Sequence, residues 1–376
     1  MEKRAVVISC SDHYGHRMVH WDAELRELGY GTTYLTTDFL HVEKKTYVCP
    51  VEGCVQLHVP PYRKNLSVQR ILSHRAFAKQ VFAYLEKTRP QAVVSLIPPN
   101  FLVKYLARYK RRHPETKLIF DIFDLWPETF PSSRAKQLLA PAFRVWANLR
   151  DRHLSEGDFV ASECDLFRRK LNLPTETSAV LPFALDPYEG EESSPALPRD
   201  RAEIAYLGSI NNIIDIPRIT ALLAALRKRM PVTLHVIGSG EKSEEFCNSV
   251  KNVGVDVRFY GPVYDEGEKH RILSGCHFGL NIMKDSVCVG LTMKSVDYFR
   301  HGLPLINSIP ADTEEMIRAH GVGVHLTDPE TSAGAIAAAV ECGAEPMGKA
   351  VRELFASRFT SSAIRRQCRE ILKQIL

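Results

Sequence analysis

The segment Leu280–Ile306 combines residue types that suit a phosphate and a ribose. It predicts a buried strand end, a loop, a helix that begins near Thr292, and a Gly-x-Pro turn into another strand. A helix start offers free N–H groups and a positive dipole end to a phosphate, and Lys294 adds a charge there. Asp297 lies one turn later and would repel a phosphate, so its expected partner is a ribose diol. The spacing therefore predicts a sugar-nucleotide site.

Two more glycine-bearing loops follow predicted strands in the same half of the chain. One follows the strand Ala202–Leu207 and the other follows the strand Val232–Ile237. Glycine lets a backbone approach a ligand closely, and ligands of doubly wound sheets bind outside the carboxyl ends of the strands. We therefore expect one shared ligand to contact both loops, at Gly208, Ser209, Gly238, Ser239 and Gly240.

The first half offers a different set of residues. Gly15 and His16 follow the first predicted strand and open a helix that could face a phosphate or sugar. The surrounding residues lack the GxGxxG fingerprint, which argues against a dinucleotide-dependent dehydrogenase. Asp124, Trp126 and Glu128 follow another strand. Two acids beside an indole ring can bind sugar hydroxyls, but the same residues also fit a capped loop with a buried indole.

Apolar strands alternate with amphipathic helices along the chain, which predicts parallel sheets covered by helices. A Pro-rich acidic stretch at 186–200 lacks this periodicity and predicts a linker. The length of 376 residues allows two domains with separate cores. We therefore predict an α/β protein with two doubly wound, Rossmann-like domains that face each other across a cleft. Their expected ranges are 1–185 and 201–360, with a C-terminal helix at 361–376 that packs back on the N-terminal domain.

Composition restricts the class of protein. A hydrophobic content of 45% and a charged content of 25% are ordinary for a globular chain. No apolar run reaches the roughly 20 residues that a membrane span needs. The run Ala5–Ser9 is too short for a signal peptide, so we expect it to be the first strand of a cytoplasmic protein. The basic residues lack interleaved aromatics, which argues against a nucleic-acid partner.

The densest basic cluster lies in a predicted amphipathic helix and includes Lys104–Arg112. A basic amphipathic helix can lie on an anionic membrane surface. The alternative is a solvated helix face packed on its own sheet. Both interpretations remain open at the level of sequence.

The nine cysteines are an odd number and are scattered, which indicates reduced thiols rather than a disulfide framework. Cys49 and Cys54 are spaced closely enough for a zinc knuckle. No second pair of ligands accompanies them at matching spacing, which favours two loop thiols. We therefore expect no metal.

At Asp124–Glu128 and Lys294–Pro304 the chain resembles the retaining GT-B glycosyltransferases, particularly the large family that builds bacterial capsule and exopolysaccharide repeats. The second stretch resembles the family segment that holds the later acid of a Glu-x7-Glu pattern and the Gly-x-Pro turn. Asp297 matches that acid, whose expected role is to bind the ribose of the donor. Val289 stands eight residues earlier, where the family has its first Glu. Gly238–Glu241 resembles the Gly-x-Gly loop near the donor base, and Gly208 resembles the loop after the first strand of the donor domain.

The resemblance implies a cytoplasmic glycosyltransferase, peripheral at the inner face of the plasma membrane through the Lys104–Arg112 region. It would move a hexose-type sugar from a nucleoside diphosphate, with UDP expected, to a glycan or polyprenyl-linked acceptor. Retention of configuration without a metal or cofactor is also implied. The domain 1–185 would take the acceptor and the domain 201–360 the nucleotide sugar.

Residue roles follow from the resemblance and from the patterns above. Lys294 and the helix start would stabilise the leaving diphosphate, and Asp124 is the second catalytic candidate. Expected donor contacts are Gly15, Gly208, Ser209, Gly238, Ser239, Gly240, Thr292, Lys294 and Asp297. Expected acceptor contacts are His16, Trp126 and Glu128. Two alternatives stay open: a non-catalytic partner or glycan-binding protein, favoured by Val289, and an isomerase of the UDP-sugar 2-epimerase kind.

Overall fold

The computed structural model describes residues 3–10, 15–41, 43–130, 139–190 and 196–376. The chain divides into two compact units. Unit 1 combines Met1–Pro182 with Ser361–Leu376, and unit 2 is Phe183–Thr360. Each unit is a parallel α/β structure, as the alternation of strands and helices predicts.

Unit 1 contains a parallel sheet with the strand order β5-β2-β1-β6-β7-β8-β9, beside a small antiparallel pair of β3 and β4. Its central strands β1, β6 and β7 are apolar and buried, as expected for parallel strands covered on both faces. The strands are β1 (Lys3–Ser9), β2 (Tyr30–Thr37), β3 (Phe39–Leu40), β4 (Lys45–Thr46), β5 (Val55–Leu57), β6 (Ala92–Ile97), β7 (Lys117–Ile122), β8 (Phe159–Ser162) and β9 (Ser178–Val180).

The helices of unit 1 cover this sheet and carry their own start signals. The hydroxyl of Ser67 caps α2 by accepting a hydrogen bond from the backbone N–H of Arg70 at 3.2 Å. The described helices before Pro182 are α1 (Gly15–Glu27), α2 (Val68–Thr88), α3 (Asn100–Arg112), α4 (Ala140–Asp151) and α5 (Asp165–Lys170).

The basic helix α3 turns its apolar face inward. Leu102 and Leu106 are fully buried in unit 1, so this face is not available to a bilayer. Lys104 and Arg108 remain exposed. The solvated-helix alternative therefore describes the packing of α3, and any membrane contact there would depend on exposed charge. Three basic side chains of its last turn form ion pairs within unit 1: Lys110 with Asp158 at 2.8 Å, Arg111 with Glu156 at 2.6 Å and Arg112 with Glu86 at 3.3 Å.

Unit 2 contains a six-stranded parallel sheet with the order β12-β11-β10-β13-β14-β15. This is the Rossmann order, in which the direction of winding reverses between β10 and β13 and leaves a crevice at their carboxyl ends. Its strands are β10 (Ala202–Leu207), β11 (Val232–Ile237), β12 (Asp256–Gly261), β13 (Phe278–Asn281), β14 (Leu305–Asn307) and β15 (Gly323–His325). Its helices are α6 (Ile216–Arg227), α7 (Ser243–Lys251), α8 (Glu266–Ser274), α9 (Met293–Arg300), α10 (Asp312–His320), α11 (Pro329–Cys342) and α12 (Glu345–Arg358).

The last helix, α13 (Ser361–Ile375), packs on α1 within unit 1. Glu24 of α1 is only 1% exposed and accepts hydrogen bonds from Arg365 at 2.7 Å and Arg369 at 2.5 Å. Burial alone would raise the pKa of Glu24, but these two guanidinium groups outweigh it and lower the pKa. A buried acid between two arginines thus fixes the end of the chain to the first helix.

Candidate functional site

Three loops of unit 2 meet at the carboxyl ends of β10, β11 and β13. The loop after β10 lies between the other two. Ile210 donates a backbone hydrogen bond to Ser239 at 3.0 Å, and Ile213 accepts one from Lys284 at 3.0 Å. The structure therefore brings together the loops that the sequence predicts to share a ligand, at the crevice between β10 and β13.

Glycine is needed in these loops for two different reasons, a positive φ at one position and close backbone contact at two others. Gly208 has φ +115°, and a Cβ there would meet open space. A Cβ at Gly238 would lie 2.0 Å from the carbonyl oxygen of Gly208, and one at Gly240 would lie 2.2 Å from that of Ile210. Gly238 and Gly240 are thus required by the approach of one loop to the next, a structural reason that the sequence interpretation did not include. Ser209 and Ser239 are exposed beside them.

The start of α9 is fixed by buried polar side chains. Thr292 is its N-cap, as predicted, and its hydroxyl accepts from the backbone N–H of Ser295 at 3.2 Å. The Asn281 amide donates to the Ser295 hydroxyl and to Asn307, both at 2.9 Å. The sequence interpretation missed Asn281 and Asn307, although each ends an otherwise apolar strand with a polar residue.

Lys294 lies in the first turn of α9, with its ammonium 4.9 Å from the ring centroid of Tyr206. The Tyr206 hydroxyl donates to the Ser209 carbonyl at 2.8 Å, which orients the ring. Burial lowers the pKa of Lys294 to about 8. Over the described ranges, no carboxylate forms an ion pair with Lys294. An anion at this position would therefore gain a poorly hydrated cation and the N–H groups of the helix start.

Asp297 has protein partners of its own. Its carboxylate, 19% exposed, lies 3.2 Å from the Lys269 ammonium and 3.5 Å from the buried His301 ring. Burial would raise the pKa of Asp297, but the neighbouring His301 ring and the Lys269 charge together lower it. The group is an ionised acceptor, as a ribose diol would require, and Lys269 and His301 hold it in place.

Asp297 also belongs to a set of three potential metal ligands. Oxygen or nitrogen atoms of Glu266, Asp297 and His301 lie within 4.8 Å of one another. The Lys269 ammonium already contacts Glu266 at 2.7 Å and Asp297 at 3.2 Å. This lysine supplies the positive charge that the two acids need, so the arrangement suits an ion-pair network better than a metal.

In unit 1, Glu128 is committed to an ion pair. Arg150, whose side chain is 0% exposed, contacts Glu128 at 2.8 Å and donates to the carbonyl of Trp126 at 2.9 Å. Asn100 donates to the same carbonyl at 3.0 Å. The indole of Trp126 is half-buried and packs on Phe130 with a centroid distance of 5.4 Å. The loop that was expected to contact an acceptor is thus held by a buried cation.

Asp124 is the remaining acid of this loop. Its carboxylate accepts a hydrogen bond from the Thr129 hydroxyl at 2.7 Å. Burial raises the pKa of Asp124, although the Thr129 hydrogen bond and the charges of Arg70 and Arg150 oppose this rise. A raised pKa makes a carboxylate a better proton acceptor than an ordinary surface acid.

Two predicted residues lie at the limit of what the structure describes. α1 begins at Gly15, as the sequence predicts for this segment. The surroundings of Gly15 and the side chain of His16 are not described, and the preceding loop at 11–14 falls outside the described residues. Their predicted roles as donor and acceptor contacts stay predictions.

The two closely spaced thiols interact with each other. Burial and a hydrogen bond with Cys49 raise the pKa of Cys54 to about 12. Both cysteines are free thiols. The metal-ligand set of unit 2 contains neither residue, and the expectation of two loop thiols stays a prediction.

Residues 201–342 match the family described as Glycosyl transferases group 1. The sequence matches no curated protein. Similar solved structures include sucrose-phosphate synthase from Thermosynechococcus elongatus, with 14% identity over 99% of this chain and 98% of that chain at a TM-score of 0.66. HepE from Anabaena, in complex with UDP, has 12% identity over 99% of this chain and 100% of that chain, at a TM-score of 0.66. The lipopolysaccharide outer core galactosyltransferase WaaB has 13% identity over 99% of both chains at a TM-score of 0.65. The predicted fold is confirmed.

Proposed function

We propose that this chain, whose residues 201–342 match the family described as Glycosyl transferases group 1 and whose fold is that of GT-B structures, is a glycosyltransferase that uses a UDP-sugar as donor. It transfers a hexose-type sugar to a glycan or lipid-linked oligosaccharide in capsule or exopolysaccharide biosynthesis. The reaction retains the anomeric configuration and needs no metal or cofactor.

The observation that carries this proposal is the environment of Lys294 at the start of α9. Its ammonium has no carboxylate partner in the described part of unit 2 and lies beside free helix N–H groups. A half-buried cation with no acid beside it gains stabilisation when an anion binds. The two negatively charged phosphates of a nucleoside diphosphate fit this position, since one group can accept from both the ammonium and the helix start.

Asp297, one turn further along α9, accepts the ribose hydroxyls. Its lowered pKa keeps it ionised, so it accepts hydrogen bonds and donates none. The loops at Gly208 and Gly238 complete the donor surface, with Ser209, Ser239 and Gly240 exposed toward solvent. HepE has been crystallised with UDP and with UDP-glucose, which supports UDP as the nucleotide here.

Transfer breaks the bond between the anomeric carbon and the diphosphate oxygen, so negative charge develops on the leaving group. Lys294 and the N–H groups of α9 stabilise that charge, an interaction that strengthens as the bond breaks. In unit 1, Asp124 is positioned by Thr129 and has a raised pKa, which suits it to accept a proton from an acceptor hydroxyl. Glu128 and Trp126 shape the same loop through Arg150 rather than through free carboxylate chemistry.

The acceptor side includes a membrane contact that is electrostatic. The apolar face of α3 is buried, and every helix in the described ranges is too short or too polar to cross a bilayer. Exposed Lys104 and Arg108 would attract an anionic lipid surface, where each basic residue contributes about 1 kcal/mol. A lipid-linked acceptor would then be presented at the inner membrane face.

A nucleotide screen tests the donor assignment. UDP and UDP-glucose should raise the melting temperature of the full chain more than ADP or GDP does, because a ligand of the native state stabilises it by about 2.7 kcal/mol at 100 times its Kd. Calorimetry should then give at least tenfold weaker UDP binding for Lys294→Met and for Asp297→Ala. Lys251→Met, an exposed lysine of α7, is the matched control and should bind UDP normally.

Wild-type UDP affinity in Lys294→Met and Asp297→Ala, as in the control Lys251→Met, would overturn the donor site. Val289 favours a second candidate function, a non-catalytic glycan-binding or partner protein, because no carboxylate occupies that position. UDP binding without sugar transfer or UDP-sugar hydrolysis would support it. Conversion of a UDP-sugar into its epimer without an acceptor would instead identify an isomerase.

A further inference from the structure

Two basic side chains of unit 1 converge on one residue. The Lys44 ammonium donates to the side-chain oxygen and the Arg70 guanidinium to the backbone oxygen of Asn65, the latter at 3.0 Å. Lys44 also donates to the carbonyl of His41 and lies 4.8 Å from the ring centroid of Tyr62. Both cations remain partly exposed. Neutral groups therefore hold two positive charges side by side.

Within the part of the chain that the structure describes, neither cation has an acid as a direct partner. Across the described ranges, no carboxylate forms an ion pair with Lys44 or Arg70. The Arg70 charge opposes the rise in the pKa of the Asp124 carboxyl, without an ion pair between the two groups. Arg70 also lies over the Trp126 ring, 5.6 Å from its centroid. Two charges of like sign without a counterion repel each other, and an arriving anion would remove that repulsion.

Two more groups with positive character lie next to Arg70. His74 is 7% exposed, and its Nε2 accepts from the Arg70 Nε at 3.4 Å. The hydrogen of this ring is then on Nδ1, which is buried and has no partner among the described residues. The α2 start, capped by Ser67, carries no acid in its first turn, so its positive dipole end adds to the charge.

The place of the cluster in the sheet is also informative. The Arg70 charge acts on Cys10, which directly follows β1. The strand order reverses between β1 and β6, so the crevice of unit 1 opens at the carboxyl ends of these strands. Asp124, which follows β7, is on the same edge. The cluster thus lies on the edge where a doubly wound unit binds its ligand.

We propose that Lys44, Arg70 and His74 form an anion site that binds a phosphate or diphosphate group of the acceptor. A phosphate ester carries up to two negative charges and several acceptor oxygens, which matches two cations and one N–H donor. A carboxylate would neutralise only one of the two cations. This inference rests on the proposed function. It adds that the acceptor is phosphorylated and that Asp124 lies beside the bound group.

Titration of the full chain with inorganic diphosphate at constant ionic strength tests the site. Saturating UDP is present throughout, so that the donor site of unit 2 is occupied. Wild-type protein should bind diphosphate under these conditions, and Lys44→Gln and Arg70→Gln should each weaken it at least tenfold. Arg75→Gln removes an exposed arginine from the same helix and should have no effect. Arg70→Lys, which keeps the charge, should restore most of the binding if Arg70→Gln is poorly folded.

Equal diphosphate binding by wild type, Lys44→Gln and Arg70→Gln, or no binding by wild type, would overturn the site. Unchanged UDP affinity in the same variants shows that the donor site is intact, so loss of the anion site and loss of the proposed donor site are separate results. Vesicles of phosphatidylglycerol distinguish the source of the phosphate. Competition between vesicles and diphosphate identifies a lipid headgroup, and independent binding identifies a glycan or soluble phosphate.

Discussion

Lys294 of unit 2 and Glu128 of unit 1 were both selected from sequence as charged residues that follow strands, but their environments differ. Glu128 has a partner, the fully buried Arg150 at 2.8 Å. Lys294 lies over an aromatic ring and has no acid beside it in the described chain. In this pair, the charge that the fold neutralises contributes to structure, whereas the charge that the fold leaves without an acid is available to a ligand.

The presence or absence of a charged partner also changes which residues of unit 1 are the better candidates for ligand binding. Trp126 and Glu128 were expected to contact an acceptor, yet their loop is held by Arg150. No local sequence pattern marks Lys44 or Arg70 as a binding residue, yet both are cations held by neutral groups. Partnering, more than residue type, therefore separates the two kinds of charge.

The largest effect that tests this comparison is on stability. Glu128→Gln removes the carboxylate charge that neutralises the buried Arg150, so we expect the free energy of unfolding to fall by about 2 kcal/mol. This is less than the cost of breaking a fully buried ion pair, because Glu128 is 33% exposed. Lys294→Met should leave stability equal or higher, because it removes a half-buried amine that has no acid beside it among the described residues. Urea unfolding of both variants measures the difference.

UDP affinity should respond in the opposite sense, unchanged in Glu128→Gln and at least tenfold weaker in Lys294→Met. If Glu128→Gln unfolded like wild type while Lys294→Met were strongly destabilised, the comparison would be wrong: Lys294 would contribute to stability and Glu128 would not.

The second effect is a pH dependence of UDP binding. The pKa of Lys294 is lowered to about 8 from an ordinary value of 10.5, and a bound diphosphate favours the protonated form. UDP affinity should therefore be fully present below pH 8 and fall by about tenfold per pH unit above it. The stability of the free protein changes with pH in the opposite direction. Between pH 8 and pH 10.5 the unfolded chain binds more protons at Lys294 than the folded chain does, so the free energy of unfolding rises with pH.

Calorimetry between pH 7 and pH 10 tests this pH dependence, with Lys294→Met as control. That variant should show a nearly flat profile. An identical fall in wild type and variant would assign the dependence to another group.

The smallest effect concerns the membrane. Replacing exposed Lys104 and Arg108 by Glu should reduce co-sedimentation with anionic vesicles, since each basic residue contributes about 1 kcal/mol near such a surface. The double variant Arg366→Glu with Lys373→Glu changes the same charge on exposed positions of α13 and should bind vesicles like wild type. Equal binding by both double variants, or binding that ignores salt, would remove α3 from the membrane contact.

Local patterns in the sequence were sufficient for the elements and the fold. The expected strands Ala202–Leu207 and Val232–Ile237 coincide with β10 and β11, and Thr292 caps α9. Hydrophobic periodicity and capping depend on neighbours within a few residues, which is why a single sequence reveals them. The alternation of these elements then restricts the chain to doubly wound sheets.

Contacts between distant residues could be decided only by the tertiary structure. Arg150 and Glu128 are 22 positions apart, and Lys269 and Asp297 are 28 apart. No local pattern indicates which cation meets which acid, because loops of any sequence can bring them together. The sequence determined that charged residues follow the strands of a GT-B chain. The fold determined which of those charges have a partner of opposite sign in the protein.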